Sequence, residues 1–266
     1  MSRRARVTRA RSAGAIRQFT PGHLPGLRLW VDAQETTSFT LAGTAISTWA
    51  DLSGNNNHLA QSISGRRPTH DATGFPGDLP CAVYDGVDDA LISTAASLAN
   101  AMNGEDKAVT GFFVIDPIVG SSTNLTIASW GHTTNLIRLY RWYITGTLAV
   151  GILAGAHATQ KLDDANSNQF LGHMLTSSAP QIVSRVDTGT TQRVWVNGEL
   201  GIQSELNTGV LTVDQFALGV LRRQTAHVAW FHGKIAAAII YARALNDVDR
   251  GKVERYLSER WRVALT

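Results

Sequence analysis

Hydrophobic residues along this chain fall into short runs, many alternating with polar residues at period two, which is the pattern of half-buried strands. Leu27–Val31 (LRLWV), Ala45–Trp49 (AISTW) and Cys81–Tyr84 (CAVY) read as strands, and the Gly-, Asn- and Pro-rich stretch over 50–80 reads mostly as turns. Val109–Ile115 (VTGFFVI) is apolar on both period-two faces, as a central strand covered on each side would be. Leu125–Trp130, Leu136–Tyr143, Thr147–Leu153, Ile182–Val186, Gln192–Val196, Gln215–Val220 and Ala229–Tyr241 continue the set. Asn197-Gly198 is the strongest hairpin signal, because both residues accept positive φ. Only Leu245–Trp261 has helical periodicity: Asn246 is placed to cap it, Asp247 and Asp249 favour its first turn, and Val253, Tyr256, Leu257 and Trp261 share one face. That face is expected to pack on the sheets, over the small-residue strand Ile235–Ile240. The pattern predicts an all-β, two-sheet antiparallel sandwich with a C-terminal helix.

Length and composition agree with one such domain: 266 residues, 44% hydrophobic, 17% charged and 24 glycines suit many strands joined by tight turns. Cys81 is the only cysteine, so neither an intrachain disulfide nor a cysteine-only zinc site can form. No apolar run is long enough for a membrane span, and the basic start is not followed by the apolar stretch of a secretory signal, so a soluble chain with no export signal of its own is expected. The net charge of +3 is unevenly spread. Residues 1–28 hold seven arginines (Arg3, Arg4, Arg6, Arg9, Arg11, Arg17 and Arg28) and no acid. Such a segment repels itself and has little to bury, so residues 1–26 read as a basic extended arm and 27–266 as the domain.

Three blocks carry a resemblance: LRLWVDAQ at 27–34, WADLSGNNNHL at 49–59 with VYDGVDDAL at 83–91, and RVWVNGEL followed by FHGKIAAAIIYARALNDVDRGKVERYLSERW. Together they resemble the concanavalin A-like, laminin-G-like jelly-roll superfamily over about residues 27–262. The resemblance implies a jelly roll whose concave face or loop rim binds carbohydrate or protein, in some members with calcium. Domains of this kind occur in bacteriophage structural proteins and in large bacterial surface proteins. The expected role is therefore a virion structural protein, a capsid decoration or a tail component, with the arm docking on neighbouring subunits. The alternative is a carbohydrate-binding module at a bacterial surface.

Catalysis is not expected. Glycosidases of this superfamily resemble one another in a Glu-x-Asp-x-x-Glu strand, and none of the six glutamates here stands in that pattern. There is no Gly-x-Ser-x-Gly elbow and no phosphate-cradling glycine loop. His227 and His232, flanking Trp230-Phe231 on a predicted strand, read as edge or core residues rather than bases. Calcium is the one candidate cofactor: Asp51, Ser53, Asn55 and Asn57 alternate oxygen-bearing side chains, and Asp85, Asp88 and Asp89 would add ligands if the two turns met. The competing reading is that these side chains cap backbone amides in turns. A glycan needs exposed aromatics beside hydrogen-bonding groups, and Trp130, His132, Asn135, Arg138, Tyr140 and Trp142 offer that composition on one predicted hairpin. For the arm, Arg3, Arg4, Arg6, Arg9, Arg11 and Arg17 are the expected assembly contacts with other virion subunits, nucleic-acid phosphate being the arm's other reading, and host-surface glycan is a further partner class for the jelly roll. A homo-oligomer or a larger assembly is expected, with no membrane partner.

Overall fold

The computed structural model describes residues 18–119, 124–145, 155–165, 168–175, 178–206, 209–224 and 226–266. Its strands form two antiparallel layers. In the first, the order is Thr69–Phe75, Leu79–Asp85, His232–Tyr241, Val109–Pro117, Gln181–Asp187, Thr191–Val196 and Glu199–Glu205. Leu27–Asp32 pairs with the C-terminal half of His232–Tyr241, on the edge whose other half is taken by Leu79–Asp85. In the second, the order is Phe39–Ala42, Ala45–Trp49, Leu59–Ala60, Leu91–Ser93, Gln215–Leu218, Leu125–His132, Asn135–Ile144, Ala156–Leu162 and Asn168–Leu175. A single pairing, Ala45 with Thr69, joins the layers along their edge. The chain passes from one layer to the other repeatedly, so this is the expected jelly-roll sandwich.

Local chemistry explains most of the elements. Val109–Pro117 is buried along nearly its whole length because the second layer covers one face and the C-terminal helix the other. Trp142 lies against Gly111, where a Cβ would stand 2.3 Å from the indole ring. Asn197 and Gly198 take φ of 51° and 84° between the paired residues Val196 and Glu199, as the hairpin signal requires. The helix runs Asp247–Trp261, and the Asn246 side chain accepts the Asp249 N–H at 2.8 Å.

The helix crosses the outer face of the first layer. Near its start, Asp247 meets Arg193 and the Arg250 guanidinium lies over the Trp195 ring. Near its end, Arg260 pairs with Asp32, and Trp261 meets Phe75 edge-on. Its buried middle residues, Val253 and Leu257, join the core on this face, where the helix packs against Gln181–Asp187 and Val109–Pro117.

Several expectations shift. The stretch 50–80 contains the strands Leu59–Ala60 and Thr69–Phe75 as well as turns. Predicted Ala229–Tyr241 divides: Ala226–Val228 pairs back on Leu221–Arg223, Ala229 takes a φ of 55°, and the long strand starts at His232. Thr147–Leu153 lies outside the described residues. The packed domain begins before residue 27, since Phe19 meets Tyr256 edge-on and the Tyr241 hydroxyl donates to the buried Pro21 carbonyl at 2.9 Å. Among the described residues no helix is long and apolar enough to cross a membrane.

Candidate functional site

The six residues expected to hold a glycan separate into two groups. Trp130, Tyr140 and Trp142 are fully buried between the layers, which removes them as an exposed platform. The Trp130 Nε1–H donates to the Leu98 carbonyl, the Trp142 Nε1–H to the Tyr140 hydroxyl, and that hydroxyl to Asp187 at 2.6 Å. His132, Asn135 and Arg138 are half-buried at the rim, with Arg138 paired to Asp164 at 3.0 Å. Aromatic rings of this size stabilise a sandwich most when they lie inside it, by about 2–3 kcal/mol each.

The two expected calcium turns do not meet. The loop carrying Asp51 and Asn57 bonds Arg28 and Trp30, beside the C-terminal end of His232–Tyr241, whereas Asp85 pairs with His232 at the other end, roughly 20 Å away along the strand. Asp51 is occupied by protein donors: the N–H groups of Trp30, Ser53 and Asn57 at 2.9, 2.9 and 3.0 Å and the Ser53 hydroxyl at 2.6 Å. Asn55 and Asn57 donate to the carbonyls of Leu27 and Arg28, and the Asn57 oxygen accepts from Ser97. This loop is a structural clasp on the first strand. Asp85, Asp88 and Asp89 do lie together, their oxygens within 4.8 Å of one another. Asp85 accepts the Val87 and Asp88 N–H groups, Asp89 accepts the Asp85 N–H, and burial pushes the Asp89 carboxyl up to about 6. Arg3, Arg4, Arg6, Arg9, Arg11 and Arg17 lie outside the described residues, and so does the assembly contact expected of them.

A different surface gathers binding chemistry. A groove of about 290 Å³ opens on the outer face of the second layer, between the segment Ala60–Arg66, the strand Leu91–Ser93 and the hairpin Leu221–Val228. Its described lining includes Gln61, Ser62, Thr94, Arg66, Arg222 and His227, and no carboxylate. Arg222 and His227 are directly opposed across the hairpin, so both side chains leave the same face. The His227 ring stacks on half-buried Trp230, centroids 5.6 Å apart and planes 10° apart.

Both walls are held rigidly. On one, Arg67 donates to the Gln61 and Ser62 carbonyls, the Gln61 amide donates to the Ala90 carbonyl, and the Ala90 N–H donates to the Arg66 carbonyl. On the other, the hairpin lies directly over Gly131: a Cβ there would stand 2.0 Å from the Arg222 carbonyl oxygen, so only glycine lets the two backbones approach this closely. The Ser129 hydroxyl donates to the Val220 carbonyl, and the Gln224 N–H donates to the His132 carbonyl. Arg222 is partly desolvated, and burial lowers its pKa despite the opposing field of Asp214. Sequence reading passed over this groove, because its walls are about 160 residues apart. The one local signal was a pair of arginine doublets, Arg66-Arg67 and Arg222-Arg223, in a chain with few charges.

No family model and no curated protein matches the chain. Among solved structures it is similar to the binding domain of botulinum neurotoxin DC in complex with SialylT, at 16% identity and a TM-score of 0.56 over 88% of this chain and 52% of that one. It is similar in the same degree to the binding domain of Paraclostridial mosquitocidal protein 1, at 13% identity and a TM-score of 0.57 over 88% and 52%. The K499G mutant of the NanB sialidase from Streptococcus pneumoniae gives a TM-score of 0.52 at 12% identity, over 64% of this chain and 26% of that one. The chain thus spans about half the length of the first two and about a quarter of the third. At these identities the likeness is one of fold, a β-sandwich.

Proposed function

We propose that this chain is a carbohydrate-binding domain that takes a glycan into the groove between Arg66, Arg222 and His227, acting by binding and not by catalysis. The observation that carries this reading is the groove's composition: a ring backed by Trp230, beside hydroxyl and guanidinium groups, in a concavity whose walls are tied in place. Sugars present apolar C–H faces and a rim of hydroxyls, and this arrangement offers a surface for each. Pre-tied walls reduce the ordering that binding would otherwise require. Most glycosidases work through a pair of carboxyl groups, and the described lining has none. A neighbour in fold, the botulinum neurotoxin binding domain, is seen in complex with SialylT. On this reading the protein meets its ligand at a glycan-bearing surface outside the cell.

The test is a glycan array with the full chain, followed by titration of the best binder to His227→Ala. Loss of the ring should weaken binding about fivefold, equivalent to about 1 kcal/mol, with little change in melting temperature. Unchanged affinity in the variant would move the site elsewhere, and no binding to any glycan would end the reading.

A further inference from the structure

We infer that the glycan bound in this groove is acidic, and that the guanidinium groups of Arg66 and Arg222 take its carboxylate. This rests on the carbohydrate-binding reading and narrows it to a class of ligand. Each arginine doublet divides in the same way. Arg67 and Arg223 donate to main-chain carbonyls, Arg223 to that of Leu136 at 3.1 Å, and so serve the walls. Their neighbours Arg66 and Arg222 face the groove, and neither makes an ion pair among the described residues.

Other arginines of the domain are neutralised where they meet acids: Arg243 by Asp249, Arg250 by Glu254 and Arg260 by Asp32 and Glu35. The acid nearest in effect to Arg222, Asp214, is held by the Thr133 N–H at 2.8 Å and by the Thr133 hydroxyl. The Arg222 Nε is buried without a hydrogen-bond partner among the described residues, as are those of Arg223 and Arg243, so it is the missing counter-charge that sets Arg222 apart from Arg243. Half-burying a guanidinium with no counter-charge is unfavourable, and an anion entering the groove offsets that cost. Arginine pairs with a planar carboxylate through two parallel hydrogen bonds, which fixes orientation as well as charge. The groove offers this fork beside the His227 ring and the Ser62 and Thr94 side chains, the combination that a carboxylate-bearing sugar presents in reverse.

The experiment uses the full chain against matched probes: 3′-sialyllactose against lactose, a glucuronate-terminated disaccharide against its glucose counterpart, and sulfated lactose. Acidic members should bind at least about tenfold tighter than their neutral partners, and Arg66→Gln and Arg222→Lys should each lose about tenfold. Arg222→Lys keeps the stem and the charge and so guards against a folding defect, which the melting temperature also monitors. Equal binding of neutral and acidic partners overturns the inference while leaving the carbohydrate reading intact, and preference for the sulfated probe alone overturns the carboxylate assignment. Acidic binding unchanged in both variants also overturns it, since the carboxylate would then be held elsewhere. No binding of any probe on the array or here overturns both readings together.

Discussion

The polar cluster between the layers and the polar cluster in the outer groove are built from the same kinds of residue, and they differ in how fully each group is satisfied. Inside, the Tyr140 hydroxyl donates to Asp187 and accepts from the Trp142 and Gln192 side chains. Arg185 donates through its terminal nitrogens to the Ala158 and Tyr143 carbonyls and the Thr159 hydroxyl, leaving only its Nε unpaired, and burial lowers its pKa to about 9. Outside, Arg66 and Arg222 have no such set of partners among the described residues. A polar group whose hydrogen bonds are spent within the fold stabilises the fold, and one left wanting a partner beside an open concavity is available to a ligand. Residue type alone does not separate the two; the terminal guanidinium nitrogens do, spent on protein acceptors in Arg185 and without a counter-charge among the described residues in Arg66 and Arg222.

The largest expected effect breaks the interior cluster. Tyr140→Phe removes the partner that Asp187, the Gln192 amide and the Trp142 N–H share in a buried site, and should lower stability by about 3 kcal/mol or more, measured by urea unfolding. Glycan affinity, read at a temperature where the variant is folded, should stay within about twofold, because the groove lies on the opposite face of the second layer. Coupled loss of both would show that the two clusters are one. Next in size is Gly131→Ala, which drives a methyl group into the Arg222 carbonyl. It should cost about 2 kcal/mol and, by displacing the hairpin, weaken glycan binding by more than its effect on stability accounts for. A variant that melts lower yet binds normally would separate Gly131 from the site.

Most of the fold was legible because its signals are local. The Asn197-Gly198 turn, the doubly apolar Val109–Ile115 run and the Asn246 cap each reflect chemistry within a few residues. Strands with little burial gave no such signal: Phe39–Ala42 is largely exposed and Thr69–Phe75 buries only Phe75, so neither shows an alternation. The site was less legible. Trp130, Tyr140 and Trp142 have the composition of a sugar platform, and only the facing strands Val109–Pro117 and Gln181–Asp187 reveal that they point inward. The proposed groove depends on Gly131 seating a hairpin that arrives some 90 residues later, a contact that no spacing rule contains.

A smaller effect sharpens the account of the interior through pH. Burial raises the Asp187 carboxyl to about 7, against the opposing hydrogen bonds from Tyr140 and Gly189 and the charge of Lys161. An acid with its folded pKa above its unfolded value of about 3.9 holds more protons when folded. Its contribution is therefore complete below about pH 4 and declines as the pH rises toward 7. Asp187→Asn should flatten that decline by up to about 1.4 kcal/mol per pH unit. The effect is clearest between pH 6 and 7, above the range in which Asp89 adds a slope of the same sign. An unchanged slope would mean that Asp187 stays ionised inside the fold.

The smallest effect concerns Asp51, where satisfaction is again what decides between structure and ligand. Its two oxygens already take three backbone N–H groups and the Ser53 hydroxyl, so a cation could bind only by displacing them. Asp51→Asn keeps the shape but turns one acceptor into a donor facing other donors, and should cost about 1 kcal/mol. That loss should be the same in millimolar calcium and in chelator, because the carboxylate clasps the first strand and not a metal ion. A loss seen only with calcium present would return Asp51, Ser53, Asn55 and Asn57 to the role of ligands, since a cation bound only to the folded chain stabilises it in proportion to its occupancy.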